Sequence, residues 1–406
     1  MIPSKRVERG IRRVDLAYVQ LASSEIARDI NRDVVLELIR ARQPISRADL
    51  ARLSGLQRST VSLIVEELIE EGWIKEGAIA RRPRGRRPTL LNLNDDLAMV
   101  VCDVRPMQAV VAVVDLNGRF LARESLPVLS DPAKAVAQII ERMRRLQQKH
   151  AQKSFEGIGV SLPGRVDPET QALIFAPNLK WPRFDIKKAL ERGMGLKVEM
   201  DNAANACLLS ELWFGHMDGV RNAALVTISE GIGTGILANG QLVLGSSGMA
   251  GEFGHIPLDP AGPKCACGVA GCWETLASST AALRYYSEMS NDAHRLTMSD
   301  LIKLAEDGDG HANAAIEKQA HMIGRGLRTI LAAFSPEVIL VTGDVTSAWS
   351  RVASIVQEEL ASLVLAGPVP RLIPVEESEV ARLRGAAALV LQRHTGQQPV
   401  KARSHA

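Results

Sequence analysis

A chain of 406 residues, 46% hydrophobic and 23% charged, describes an ordinary soluble globular protein of two or three domains and excludes a disordered or collagen-like one. No run of eighteen uncharged apolar residues occurs and no apolar stretch follows the first lysine and arginines, so no membrane insertion and no signal peptide are expected, and the protein is placed in the cytoplasm. The net charge of +3 is uneven: residues 1–90 hold 18 Lys and Arg against 12 Asp and Glu and the remainder is slightly acidic, which makes the N-terminal end the candidate for nucleic acid.

Residues 1–22 are charged and weakly periodic and read as an arm. Residues 23–93 read as a winged helix-turn-helix. Ile26, Ile30, Val34 and Leu38 recur at helical spacing and stop before Gln43-Pro44, where proline disfavours helix in the residue before it. Ser46 is placed to cap a second helix carrying Leu50 and Leu53. Ser54-Gly55-Leu56 supplies a turn, and Ser59 to Glu70 gives a third helix with Val61, Ile64, Val65, Leu68 and Ile69 on one stripe. The residues that open it, Gln57, Arg58, Ser59 and Thr60, suit phosphates and base edges at the helix end that enters the major groove. Two strands, Gly72 to Glu76 and Thr89 to Leu93, flank a loop with five arginines in seven positions. Arginine gains from the negative potential of a narrow minor groove, so Arg81, Arg82, Arg84, Arg86 and Arg87 are assigned to DNA. The implied partner is double-stranded operator DNA. A palindromic operator asks for a homodimer or homotetramer with recognition helices about 34 Å apart.

From Leu97 the periodicity changes. Met99 to Val104, Ala109 to Asp115 and Phe120 to Leu126 are short β-branched runs, the last two joined by the hairpin signal Asn117-Gly118. Ala133 to Gln148 is helical and Gly157 to Leu162 is a buried strand. Strands follow at Leu225 to Ser229, Gly235 to Leu244 and Val338 to Thr342, with a long helix over Ala314 to Phe334.

Gly251-Glu252-Phe253-Gly254-His255 is followed by Cys265-Ala266-Cys267-Gly268-Val269-Ala270-Gly271-Cys272-Trp273-Glu274. One histidine and three cysteines within eighteen residues can close a tetrahedral zinc site with no open position, so His255, Cys265, Cys267 and Cys272 are expected to hold a structural Zn2+. Binding energy on the order of 10 kcal/mol would pin a loop that lacks regular structure. Cys102 and Cys207 are left as core residues.

This signature resembles that of the ROK family (repressors, open reading frames, kinases), and the resemblance runs from about Glu25 to His394. It implies an α/β body of the two-lobed, actin-like sugar-kinase (ribonuclease H-like) fold: a first lobe over 96–200, completed by about 375–395, and a second over 201–374 carrying the zinc site. It assigns sugar contacts to Glu252, His255 and Glu274, and through the loops Leu162 to Pro168 and Ala176 to Trp181 also to Gly164, Arg165 and Asn178. Asn202 keeps the amide of the family's Asn-Asp-Ala-Asn, but the following position, that of the catalytic base, is Ala203. The phosphate hairpin Asp-x-Gly-Gly-Thr reads Asp103-Val104-Arg105-Pro106-Met107, whereas Gly231-Ile232-Gly233-Thr234-Gly235 still matches. No catalytic residue and no ATP are therefore expected. The reading is a sugar-responsive repressor that binds a palindromic operator and a sugar or sugar-phosphate effector. Its rivals are an active ATP-dependent sugar kinase with an attached DNA-binding domain, and a repressor titrated by a sugar-transporter protein. Arg165 favours an N-acetylhexosamine.

Overall fold

The computed structural model describes residues 24–79, 88–176, 178–181, 184–215, 217, 219–290, 296–362 and 368–393. The arm expected over 1–22, His394, and Arg81, Arg82, Arg84, Arg86 and Arg87 lie outside these residues. The chain divides into two compact units that meet between Leu93 and Asn94.

The first unit runs α1 (Ser24–Arg42), β1 (Ile45–Ser46), α2 (Arg47–Ser54), α3 (Arg58–Glu70), β2 (Ile74–Ile79) and β3 (Thr89–Leu93). Ser46 caps α2 by accepting the Asp49 N–H at 3.2 Å, and Gly55 ends it at φ +73°, where its N–H returns to the Ala51 carbonyl. β3 pairs antiparallel with both β1 and β2, giving a three-stranded wing whose β1 partner is too short to leave a sequence pattern. The core is Val35, Ile39, Leu50, Val61, Val65 and Leu68. The stripe expected on α1 is corrected here: Ile30 and Val34 are 58% and 40% exposed, and the helix turns Val35, Leu36 and Ile39 inward. Arg28 and Arg32 of α1 pair with Glu67 of α3 and with Glu71, the residue that caps its C-terminal end.

The second unit holds two five-stranded sheets of one design. The first comprises β4 (Leu97–Val104), β5 (Gln108–Asp115), β6 (Phe120–Pro127), β7 (Ser154–Leu162) and β10 (Val198–Asn202) in the order β10-β7-β4-β5-β6. β4, β5 and β6 form an antiparallel meander to which β7 and β10 add in parallel. Between them lie α4 (Pro132–Lys149), the small hairpin β8 (Arg165–Val166) and β9 (Leu173–Phe175), and α5 (Ile186–Met194). After α6 (Ala203–Phe214) comes the second sheet: β11 (Ala223–Ile228), β12 (Ile232–Ala238), β13 (Gln241–Leu242), β14 (Val338–Thr342) and β15 (Arg371–Val375), in the order β13-β12-β11-β14-β15. It repeats the first: an antiparallel meander, then two strands added in parallel. The strand expected over Gly235 to Leu244 is thus two strands, split where Asn239 and Gly240 turn at φ +53° and +82°.

Helices α7 (Trp273–Ala277), α8 (Ser279–Ser290), α9 (Met298–Glu306), α10 (Gly310–Phe334) and α11 (Trp349–Ala361) share one apolar core with the second sheet. The last helix, α12 (Ser378–Gln392), returns to the first sheet and packs on β7, β4 and α6. Small residues permit that approach. A Cβ on Gly159 would stand 1.8 Å from the Ala386 carbonyl, and one on Gly385 1.8 Å from that of Ala206.

Candidate functional site

The loop between β13 and α7 has little regular structure, and glycine shapes it. Gly251 and Gly254 lie on β12 so closely that a Cβ would meet the Thr234 carbonyl at 2.7 Å and the Ile232 carbonyl at 2.3 Å. A one-turn 3-10 helix, Phe253–His255, then presents His255 to the three cysteines. Gly268 at φ +96° and Gly271 at φ +66° fold the cysteine segment back, with Cys265 N–H on the Val269 carbonyl at 2.8 Å. The ligand atoms of His255, Cys265, Cys267 and Cys272 all lie within 4.8 Å of one another. Cys267 and Cys272 sulfurs are 3.5 Å apart, and His255 Nδ1 is 3.5 Å from Cys265 Sγ. Metal–ligand bonds of the lengths zinc makes would set such edges at about 3.5–3.8 Å in a tetrahedron, so this cluster fits one ion. Trp273, next in sequence, is fully buried, donates from Nε1 to the Met322 carbonyl at 2.9 Å, and nests against Gly326, tying the cluster to α10.

Two carboxylates flank the cluster. Glu252 Oε2 faces His255 Nε2 at 3.7 Å, so one ring nitrogen looks at the thiols and the other at an acid. Glu274 Oε2 accepts the Ile232 N–H at 3.0 Å, and this close contact needs Gly231, whose Cβ would lie 2.5 Å from that oxygen and 3.7 Å from Asn178 Nδ2. Burial pushes the Glu252 carboxyl above its ordinary range, with the charges of His255 and Arg165 opposing the shift. Arg165 therefore stands by the same acid. Its Nη1 meets the Met249 thioether and its Nε is buried without a hydrogen-bond partner. Arg165, Asn178, Glu252, His255 and Glu274 thus line one polar site.

Gly164 packs against the strand β9 end through its backbone. At φ +99° it lies so near the Phe175 carbonyl that a Cβ would stand 2.1 Å away. Asn202 caps α6, its Oδ1 accepting the Asn205 N–H at 2.8 Å. Asp201, just before it, has its carboxylate oxygens held by the Asn205 amide at 3.1 Å, and burial pushes its carboxyl up to about 6.

The Gly231 to Gly235 stretch has a packing reason at each glycine. Gly231 admits Glu274, Gly233 lies against Thr227 and Ala204, and Gly235 against the Ala204 carbonyl. At the β4–β5 turn, Asp103 is fully buried and engaged by Arg382, Arg105 and Ser161 at 2.9, 2.8 and 3.1 Å. Sequence reasoning missed Arg382, Met249 and the role of Gly231; only Gly231 left a signal, as part of a glycine repeat. Cys102 and Cys207 are core residues, the Cys207 thiol pushed up to about 12 by burial.

In the first unit, Gln57, Arg58 and Ser59 are exposed and Thr60 half-buried at the N-terminal end of α3. Gln57 makes no capping bond and no acid lies in the first turn, so the positive end of the helix dipole is open beside Arg58.

A helix-turn-helix with a wing, followed by a body of two matched α/β sheets with an acid-lined polar site beside a Cys3His cluster, defines a DNA-binding protein built on a sugar-kinase-like body. The ROK family model matches residues 103–393 and a model of winged helix-turn-helix DNA-binding domains matches 28–75. The chain belongs to the ROK family, with an N-terminal winged helix-turn-helix DNA-binding domain. It is 30% identical over 379 residues to the xylose repressor of Bacillus subtilis, covering 92% of this chain and 98% of that one. It is 28% identical over 346 residues to the dual regulator NagC of Escherichia coli, covering 81% and 84%. Among solved structures it is similar to a ROK family transcriptional regulator described as a homologue of the E. coli MLC protein, with a TM-score of 0.79, 26% identity and coverage of 92% and 98%. A ROK family glucokinase from Streptomyces griseus, solved with glucose and AMPPNP, matches at a TM-score of 0.66 and 26% identity, covering 73% of this chain and 99% of that one. Named repressors thus share the full architecture and kinases share the body.

Proposed function

We propose that the protein is a sugar-responsive transcriptional repressor: its winged helix grips a palindromic operator as a homodimer or homotetramer, and a sugar bound beside Glu252 and Glu274 changes that grip. The observation that supports this reading is one chain holding both a helix-turn-helix whose third helix starts polar and without acids and a group of hydrogen-bonding side chains beside a Cys3His cluster. Gln57, Arg58, Ser59 and Thr60 meet the major groove and the wing arginines the minor groove. Glu252 and Glu274 accept from sugar hydroxyls, while Asn178, Arg165 and Asn202 donate to sugar oxygens. His255, Cys265, Cys267 and Cys272 hold a structural Zn2+ whose place is to keep both glutamates in position. No helix among the described residues is long and apolar enough to cross a membrane, and a regulator of this kind works in the cytoplasm beside its DNA.

No phosphoryl transfer is assigned. The base position is Ala203, and Arg105 and Arg382 neutralise Asp103 at the hairpin where a kinase would cradle phosphate. The test is operator binding by fluorescence anisotropy, on duplexes selected by the full chain from a random pool, with and without xylose, glucose and N-acetylglucosamine. A coupling of about 1–3 kcal/mol shifts operator affinity about 5- to 150-fold. Affinity that no sugar moves, or ATP turnover on any of these sugars, would sink the reading.

A further inference from the structure

We propose that Leu63, on α3, is a base-reading residue that selects thymine in each operator half-site by contact with the C5-methyl group in the major groove. This rests on the operator-binding reading above and adds a specificity-determining side chain and the base that it recognises.

One face of α3 is taken up by the core, where Val61, Ile64, Val65 and Leu68 are buried. Successive residues of a helix turn by about 100°, so the direction opposite that stripe belongs to Ser59, Leu63, Glu66 and Glu70, and all four are exposed. Leu63 is 60% exposed and stands one turn along from Ser59. A single leucine facing water calls for no partner on an ordinary surface, so its place on the helix matters more than its exposure. The match to winged helix-turn-helix DNA-binding domains spans residues 28–75 and includes it, and the recognition helix of such a domain lays its N-terminal residues against base edges. From Arg58 to Leu63 the one charged side chain is Arg58, so this stretch attracts a polyanion. Acids begin just beyond. Glu67 and Glu71 are held by Arg28 and Arg32, but Glu66 and Glu70 face outward and repel phosphates. Leu63 is thus the last outward side chain that a duplex docked on the start of α3 meets before like charge pushes it away.

The chemistry of the side chain selects the base. An isobutyl group neither donates nor accepts a hydrogen bond, so it gains nothing from a phosphate, from the purine edges or from the cytosine amino group. The apolar group that the major groove offers is the thymine C5-methyl. Pressing leucine against it takes both out of water, whereas a cytosine there leaves the leucine against a bare ring edge. Burial of one methyl group corresponds to about fourfold in affinity.

The test is fluorescence anisotropy of the full-length protein on the duplex that it selects from a random pool, with each symmetric pair of thymines replaced in turn by deoxyuracil. That replacement removes the methyl group and leaves every hydrogen-bonding edge intact. At one pair the parent protein should lose about fourfold per methyl, or about 15-fold in all. Leu63→Ala should bind the thymine duplex about as weakly as the parent binds the uracil one, and the replacement at that pair should cost it less than about twofold. Leu63→Ser should behave in the same way, and both variants should melt with the parent because the position is exposed. A methyl dependence that Leu63→Ala retains at every pair, or a selected duplex in which no thymine methyl matters, overturns this inference and leaves operator binding standing. Retained dependence together with a changed oligomeric mass overturns it too, and places Leu63 between copies of the chain. If the protein selects no duplex at all, the repressor reading falls and takes this inference with it.

Discussion

The guanidinium of Arg382 on α12 lies 2.9 Å from the carboxylate of Asp103 on β4, although the two residues are 279 positions apart. Asp103 is closed off from water, and Arg105 donates to the same carboxylate oxygen, Oδ2, at 2.8 Å before extending to Glu379 on α12 at 3.3 Å. The last helix is thereby bonded to the first sheet through charge as well as through its small-residue packing. Breaking a buried pair from one side strands the other charge, at about 3–5 kcal/mol. Asp103→Ala strands Arg382 and should cost an amount in that range in urea unfolding. Arg382→Met should cost less, because Arg105 still pairs Asp103. A cost below about 1 kcal/mol for Asp103→Ala would show that the network contributes nothing net.

Asp201 gives the pH dependence. Burial raises its folded-state carboxyl from 3.8 to about 6, so the folded protein binds a proton there that the unfolded chain does not hold between those values. The charged carboxylate is the disfavoured form, so its penalty is fully present above about pH 6 and is relieved as pH falls towards 4. Asp201→Asn removes the group. The variant should be more stable than the parent above pH 6, by up to about 2–3 kcal/mol, with the gap closing by pH 4. Carboxylates held low by hydrogen bonds, such as Asp167, lose their stabilising contribution only below their ordinary value of 3.8, outside this window, and do so equally in both proteins. A gap that stays constant from pH 4 to 7 would remove the argument.

Metal removal tests the cluster. The purified protein should carry one zinc ion per chain by mass spectrometry, and Cys272→Ser should lose it. Chelation should lower the melting temperature by more than about 5 °C, since about 3 kcal/mol corresponds to roughly that shift in a large domain. Cys102→Ser, in a β4 core position, should leave zinc content untouched. Full occupancy in Cys272→Ser would disprove the ligand set.

Gly231→Ala addresses the pocket with one methyl group. The new Cβ would sit 2.5 Å from Glu274 Oε2, and the flexible carboxylate must give way. Global stability should change by less than about 1 kcal/mol, because that contact is with the far end of a side chain. Sugar affinity should fall at least about tenfold, the worth of one charge-assisted hydrogen bond. An unaltered affinity would mean that Glu274 does not touch the ligand.

Legibility in the sequence followed locality. The Cys3His cluster, the Ser46 cap and the Asn117-Gly118 turn rest on residues a few positions apart, and their chemistry is readable wherever they occur. The α1 face was ambiguous because Val34, Val35, Leu36, Leu38 and Ile39 offer two stripes, and only packing against α2, α3 and β3 selects one. The second sheet's repetition of the first and the Arg382–Asp103 pair left no local pattern, since both arise where distant segments meet. The Gly231 to Gly235 stretch shows in the sequence only as a glycine motif, and its structural reason lies in Glu274 and Ala204, residues the spacing does not point to.

Arg58 tests the DNA-binding surface. It is the first residue of α3, exposed, with no acid in that turn to neutralise it, and the open end of the helix dipole adds to its charge. If it contacts a phosphate, Arg58→Ala should weaken operator and random DNA alike and lower the slope of log affinity against log salt by about 1. If it contacts a guanine edge instead, the loss should be about 1–3 kcal/mol on the operator only, with relaxed preference at one base pair. Either pattern places the start of α3 against DNA. Anisotropy titrations between 50 and 200 mM salt, roughly the range over which counterion release dominates, separate the two, and unchanged binding on both DNAs would remove α3 from the interface.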